Sequence, residues 1–148
     1  MDTLETHAAA SIDDLVADFG FLDDWEDRYR YVIELGKTLP QLTPAEHNDL
    51  NKVRGCASQV WFVSKVVGNG EKRLIFRGDS DAHIVRGLIA ILLSLYSGRT
   101  AREIVETDPE AVFARIGLRE HLTSQRSNGL SSMVSRIRSD AQAALSAA

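Results

Sequence analysis

The sequence predicts an α+β domain in which helices cover a small antiparallel sheet. Three observations carry that prediction. Two β-rich segments, residues 59–67 and 72–77, flank Gly68-Asn69-Gly70, a strong turn signal for an antiparallel hairpin. A run from Asp81 or Ala82 to about Tyr96 is apolar on nearly every side and so belongs in the middle of a core, packed on that hairpin. The remaining segments repeat apolar residues at helical spacing between Ser, Thr or Asp caps and Gly or Pro stops.

Along the chain, residues 1–10 lack periodicity and read as a frayed tail, which leaves 11–148 as one domain. Ser11 caps a helix from Ile12 to about Phe19, with Asp13 and Asp14 in the first turn where the helix dipole favours carboxylates, and Gly20 stops it. A second helix starts near Asp23 or Asp24 and sets Trp25, Tyr29, Val32 and Ile33 on one face until Gly36 and Pro40 end it. Thr43-Pro44-Ala45-Glu46 is a capping box with proline at the first helical position, predicting a brief helix over 44–50. Residues 51–54 are expected to add a short third strand. In the hairpin, Val, Trp and Phe suit a pleated surface, and Leu74 and Phe76 alternate with charged neighbours.

Gly78-Asp79-Ser80-Asp81 reads as the end of the second strand and the cap of the apolar helix, which Gly98 terminates. Thr100 to Glu103 is a second capping box, and Asp108-Pro109-Glu110 opens a short helix carrying Val112, Phe113 and Ile116. A last amphipathic helix over about 129–144 buries Leu130, Met133, Val134 and Ile137.

A chain of 148 residues can bury one real core and is too short for two ordinary domains. Its net charge of −4 argues against a general nucleic-acid binder, which would carry a clustered basic face. No apolar run approaches the ~18 residues a membrane span needs, and residues 1–11 have neither the basic start nor the apolar core of a secretory signal. A single cysteine excludes an internal disulfide, so a cytoplasmic location is expected.

That cysteine, Cys56, is the residue around which function is organised. It lies in Val53-Arg54-Gly55-Cys56-Ala57-Ser58-Gln59-Val60-Trp61, on a loop at a strand entrance, beside residues that make a poor core. Arg54 and the backbone amides exposed at Gly55 are expected to favour the reactive thiolate. Three chemistries follow. A hydrolase would need a histidine base, with His47, His83 and His121 as candidates, none in a recognised signature. A metal or cluster site would need more thiolates or closely spaced histidines than one cysteine and four scattered histidines supply, so no resident metal is expected. A covalent carrier of sulfane sulfur suits a lone thiol, because no second thiol in the chain can attack the persulfide and discharge it.

Here the residues carry a resemblance. The Cys56 segment, then Gly78-Asp79-Ser80-Asp81-Ala82, Val85-Arg86-Gly87-Leu88 and His121-Leu122-Thr123-Ser124-Gln125-Arg126-Ser127-Asn128-Gly129-Leu130, resemble the SufE/CsdE family of sulfur acceptors, in the family's order over nearly all of residues 12–139. The resemblance implies a SufE/IscU-type fold. It also implies a relay in which Cys56 takes persulfide sulfur from a SufS- or CsdA-type cysteine desulfurase, stimulates that enzyme, and passes sulfur towards a SufBCD-type scaffold for iron–sulfur clusters. The pyridoxal phosphate belongs to the desulfurase, so no cofactor is implied for this chain. Asp81 and Arg126 match family residues near the acceptor: Arg126 would favour the thiolate or steady the persulfide, and Asp81 would position the loop or meet a basic group of the partner. Gln59 and Trp61 are read as packing and strand residues. A protected resting state is expected, with the sulfur turned into an apolar pocket until a partner draws the loop out. The alternatives from other classes are the hydrolase and a noncatalytic adaptor that binds the desulfurase by surface contacts alone.

Overall fold

The most apolar stretch of the chain becomes the helix on which the other elements are laid. The computed structural model describes residues 11–68 and 70–147; the tail expected over 1–10 and Asn69 of the turn lie outside the described residues. In order the elements are α1 (Ile12–Gly20), α2 (Trp25–Gly36), a 3-10 turn (Pro44–Glu46), β1 (Val60–Val67), β2 (Arg73–Ser80), α3 (His83–Tyr96), α4 (Ala101–Glu106), α5 (Pro109–Ile116), a second 3-10 turn (Arg119–His121) and α6 (Ser124–Ser146). This is the expected α+β arrangement, with a two-stranded antiparallel sheet and six helices among the described residues.

Helix α3 buries eleven of its fourteen residues, which only a central position allows. It packs against α2, β2 and α6. Leu88, Ile89, Ile91 and Leu92 are 1% exposed or less. Burying each such side chain contributes ~1.5–3 kcal/mol relative to leaving it in water. The α2–α3 crossing is unusually close. A Cβ on Gly87 would lie 2.0 Å from the Val32 carbonyl oxygen, and one on Gly36 would lie 2.7 Å from the Gly87 amide nitrogen, so both backbones meet where side chains are missing.

The hairpin pairs Val60 with Ser80 through to Val67 with Arg73. Strand β2 buries Leu74, Phe76, Gly78 and Ser80 on one face, the period-2 pattern of a half-buried strand. Residue 78 must be glycine here because a Cβ would lie 2.7 Å from the Phe62 ring.

Four boundaries correct the sequence reading. The helix expected over 44–50 is a single 3-10 turn, because side chains take over its backbone groups. The His47 ring bonds the Thr43 carbonyl, Asn48 Nδ2 donates to the Ala45 carbonyl, and Asn48 Oδ1 accepts the Asn51 amide. The third strand over 51–54 contracts to one bridge, Lys52 with Trp61, since Gly55 turns the chain away at φ +89°. Strand β2 runs on to Ser80 and α3 starts at His83 with no side-chain cap, so Asp81 does not cap the helix. Helix α6 starts at Ser124, five residues before the expected position, with the Thr123 hydroxyl accepting the Arg126 amide.

Candidate functional site

Cys56 sits on a short loop whose two ends are fixed to each other and to neighbours. Upstream, the Val53 amide donates to the Val60 carbonyl and the Phe62 amide to the Asn51 carbonyl, both at 2.8 Å. Downstream, Asp81 Oδ1 accepts the Gln59 amide at 3.0 Å and the Asp81 amide donates to the Gln59 carbonyl at 3.3 Å. Residues 54–58 span the gap. Gly55 makes the turn, and any side chain there would also collide with Ser132, whose Oγ would lie 2.5 Å from a Cβ.

The thiol faces α6, where its Sγ lies 3.6 Å from the Gly129 carbonyl oxygen and donates to it. That acceptor suits a protonated sulfur, because a thiolate would set its charge against the carbonyl lone pairs. The cysteine is half-buried, and burial raises its pKa above the ordinary thiol value. Arg54 is exposed and the shift is upward, which corrects the expectation that Arg54 and Gly55 favour the thiolate at rest. The sulfur lines a cavity of about 20 Å³ with Val85, Leu88, Met133, Gly129 and Arg126. That is room for one water-sized atom. Its walls are mostly apolar, with Ser58, Gln125 and Arg126 as the polar part of the lining.

Beside it lies an open depression of about 460 Å³, lined by Ala57, Ser58, Gln125 and Arg126 among others. Arg126, in the first turn of α6, borders both spaces. Among the described residues its guanidinium forms no hydrogen bond or ion pair, since only its backbone amide is engaged. Asp81 is exposed and does not line the cavity; it reaches the site through Gln59.

The histidines lie elsewhere. His47 is held between the Thr43 carbonyl and Asp79 Oδ2, each at 2.9 Å, with its ring edge-on to Trp61. Its pKa is raised, chiefly by that bond to Asp79. Arg86 meets the other oxygen of Asp79 at 3.3 Å, and Glu46 pairs with Arg77 alongside, so these charges pin the turn before the Cys56 loop to the sheet. His121 stacks on Trp25 with ring centroids 3.8 Å apart, and His83 is exposed at the start of α3. None of the three lines the Cys56 cavity, so among the described residues the hydrolase reading finds no histidine base there.

Sequence reasoning missed the support that α6 gives the loop. Gly129 and Ser132 lie more than seventy positions from the residues they touch, at hydrogen-bond separations of 73 and 77. The available signal was Gly129 itself, a glycine in a helical pattern that marks a close approach of another segment.

One expected outcome follows from the raised pKa. The folded state keeps the Cys56 proton to higher pH than the unfolded chain does. The stability this group contributes is therefore complete below the unfolded thiol pKa and is lost as pH rises through the folded value. Iodoacetamide alkylation of the native protein should be slower at neutral pH than alkylation of the urea-unfolded chain, with a midpoint above that of the unfolded thiol. Equal profiles would mean that the sulfur is not held in the pocket.

Among the described residues no group of three or more His, Cys, Asp or Glu side chains is placed to hold a metal ion, and no helix is long and apolar enough to cross a membrane.

Fold and site together define an α+β protein with a single thiol on a glycine-turned loop, half-buried against the first turns of its last helix. The chain belongs to the SufE family: the family model, described as an Fe-S metabolism associated domain, matches residues 13–141. It is 56% identical over 138 residues to an uncharacterized SufE-like protein of Rhizobium meliloti (strain 1021), covering 93% of this chain and 99% of that one. It is 60% identical over 134 residues to an uncharacterized SufE-like protein of Rhizobium etli, covering 90% of each. The solution structure of a hypothetical protein from Thermus thermophilus superposes with a TM-score of 0.71 at 20% identity over 92% of this chain and 96% of the other, a likeness of fold. Membership associates the protein with iron–sulfur metabolism.

Proposed function

We propose that this protein is a sulfur carrier that accepts persulfide sulfur from a cysteine desulfurase on Cys56, stimulates that enzyme, and hands the sulfur on to iron–sulfur cluster assembly of the SufBCD type. The observation that carries the reading is a lone thiol with no intramolecular rival, held protonated in a pocket with room for one more atom and placed on a loop only five residues long. In the transfer, the Cys56 thiol gives up its proton and its sulfur attacks the terminal sulfur of the donor's Cys–S–SH. One S–S bond forms, the donor's S–S bond breaks, and the donor's cysteine leaves as thiolate and takes up a proton, with no net oxidation or reduction.

The resting geometry withholds reactivity and the transfer geometry must supply it. Leaving the pocket frees Sγ from the Gly129 carbonyl and rehydrates it, which lowers its pKa towards the ordinary value. On return, the added sulfur has the small cavity to occupy, and the unengaged guanidinium of Arg126 stands beside it to steady an anionic persulfide. Asp81 positions the loop through Gln59. The adaptor reading uses none of these features. Intact-mass spectrometry after incubation with a desulfurase and cysteine tests the carrier: adducts of about 32 Da on Cys56 are expected at a persulfidated thiol. Their absence from a chain that still binds the enzyme would replace it with the adaptor.

Asp81→Ala removes the acceptor of the Gln59 amide. Losing one hydrogen bond of ~0.5–1.5 kcal/mol should raise the open population of the loop, and with it the iodoacetamide rate at Cys56, roughly two- to tenfold. An unchanged rate would show that the downstream end is held by something else.

A further inference from the structure

The upstream end of the Cys56 loop has a fastening that the transfer chemistry does not require and that the sequence reading did not single out. Arg136, two turns beyond Gly129 on α6, reaches across with its whole guanidinium. Its Nη1 donates to the Lys52 carbonyl at 3.2 Å and its Nη2 to the Leu50 carbonyl at 3.0 Å, while Nε donates to Asp140 Oδ1 at 3.2 Å. Asp140, one turn further along, aims the fork. Ser132, one turn before, donates to the Gly55 carbonyl at 3.4 Å, so one stripe of α6 holds the loop's approach at Leu50, Lys52, Gly55 and Cys56.

We propose that Arg136 is a positioning residue for sulfur transfer, clamping residues 50–52 so that only residues 54–58 swing when Cys56 leaves its pocket. The inference rests on the carrier reading for its purpose and on this geometry for its existence. Leu50 is 87% exposed, so burial does not hold that residue in place; its own carbonyl bond to Arg136 does, beside the bonds that neighbouring Asn51 makes with Glu46, Asn48 and Phe62. With the ends closed at Val53 and Val60, the loop tip can travel at most ~10 Å from its base, given ~3.3–3.6 Å per extended residue. Without the clamp, only the two backbone bonds of the Lys52–Trp61 bridge and buried Val53 hold this end, so the bridge opens more often and the sulfur sweeps a wider and less defined volume. Arginine is needed because one planar fork serves two carbonyls and a carboxylate at once, which a lysine ammonium on a flexible stem does not reproduce.

The test measures the isolated protein, with no sulfur donor. In Arg136→Ala the iodoacetamide rate at Cys56 should rise roughly three- to tenfold, and the amides of Val53 and Phe62 should exchange faster by a similar factor. Arg136→Lys should restore part of the difference, and Asp140→Asn should shift both readouts in the same direction by less. A residue that merely supported α6 would lower the melting temperature and leave both rates unchanged well below it. Rates within twofold of wild type in folded Arg136→Ala overturn the proposal; if that variant does not fold, Asp140→Asn decides, and rates indistinguishable from wild type in it overturn the proposal. Faster alkylation in Arg136→Ala, together with no adduct of about 32 Da on the wild-type chain in the separate incubation with desulfurase and cysteine, would sink the carrier reading and leave the clamp standing.

Discussion

Cys56→Ser is expected to abolish the sulfur adduct and the stimulation of a partner desulfurase while leaving the protein folded. The loss should be complete, because Cys56 is the chain's only sulfhydryl and a serine hydroxyl does not exchange with a persulfide. Little else changes. The site is half-buried, and the serine hydroxyl can donate to the Gly129 carbonyl as the thiol does, so the melting temperature should stay within a few degrees of wild type. The variant should still bind the desulfurase, since the substitution changes one half-buried atom and leaves the surrounding surface as it is. Stimulation equal to wild type by the serine variant would rule out transfer through this sulfur and leave an allosteric contact as the function.

How far the sequence led depended on whether the deciding contacts were local. Helices α1 and α2, the hairpin, and the capped helices α4 and α5 were legible because caps, turns and apolar periodicity act over a few residues: Ser11, Asp24, Thr100 and Asp108 each cap as their positions imply. Cys56 was legible for a different reason, since it is chemically alone. The start of α6 was hidden because Ser124, Gln125, Arg126, Ser127 and Asn128 offer no apolar stripe; that stretch faces the loop and the open depression more than the core. The 3-10 turn was misjudged because Asn48 and His47 compete for its backbone, which a capping-box pattern does not reveal. The resting state of the sulfur depends on Gly129, Met133 and Val85, drawn from two helices distant in sequence. Only folding brings them together.

Gly87→Ala is expected to be the most damaging single methyl that can be added to this fold. The new Cβ would lie 2.0 Å from the Val32 carbonyl oxygen and 2.6 Å from its carbonyl carbon, and neither can move aside without α2 moving as a whole. Alanine gains up to ~1 kcal/mol of helix propensity over glycine, but overpacking against rigid backbone typically costs about 1–3 kcal/mol and occasionally more. A contact this short, against main chain, belongs at the upper end, so after the propensity gain the net expectation is a loss of ~2 kcal/mol and a melting temperature lower by roughly 4–8 °C. Because α3 also carries Val85 and Leu88 to the sulfur's pocket, its displacement should expose Cys56 and speed its alkylation. Gly20→Ala is the matched control: a Cβ at the end of α1 meets nothing within 4 Å, so stability should change by less than ~0.5 kcal/mol. If Gly87→Ala melted within about 2 °C of that control, the α2–α3 crossing would be looser than drawn. The Val85-Arg86-Gly87-Leu88 motif would then need a reason other than the close meeting of two backbones.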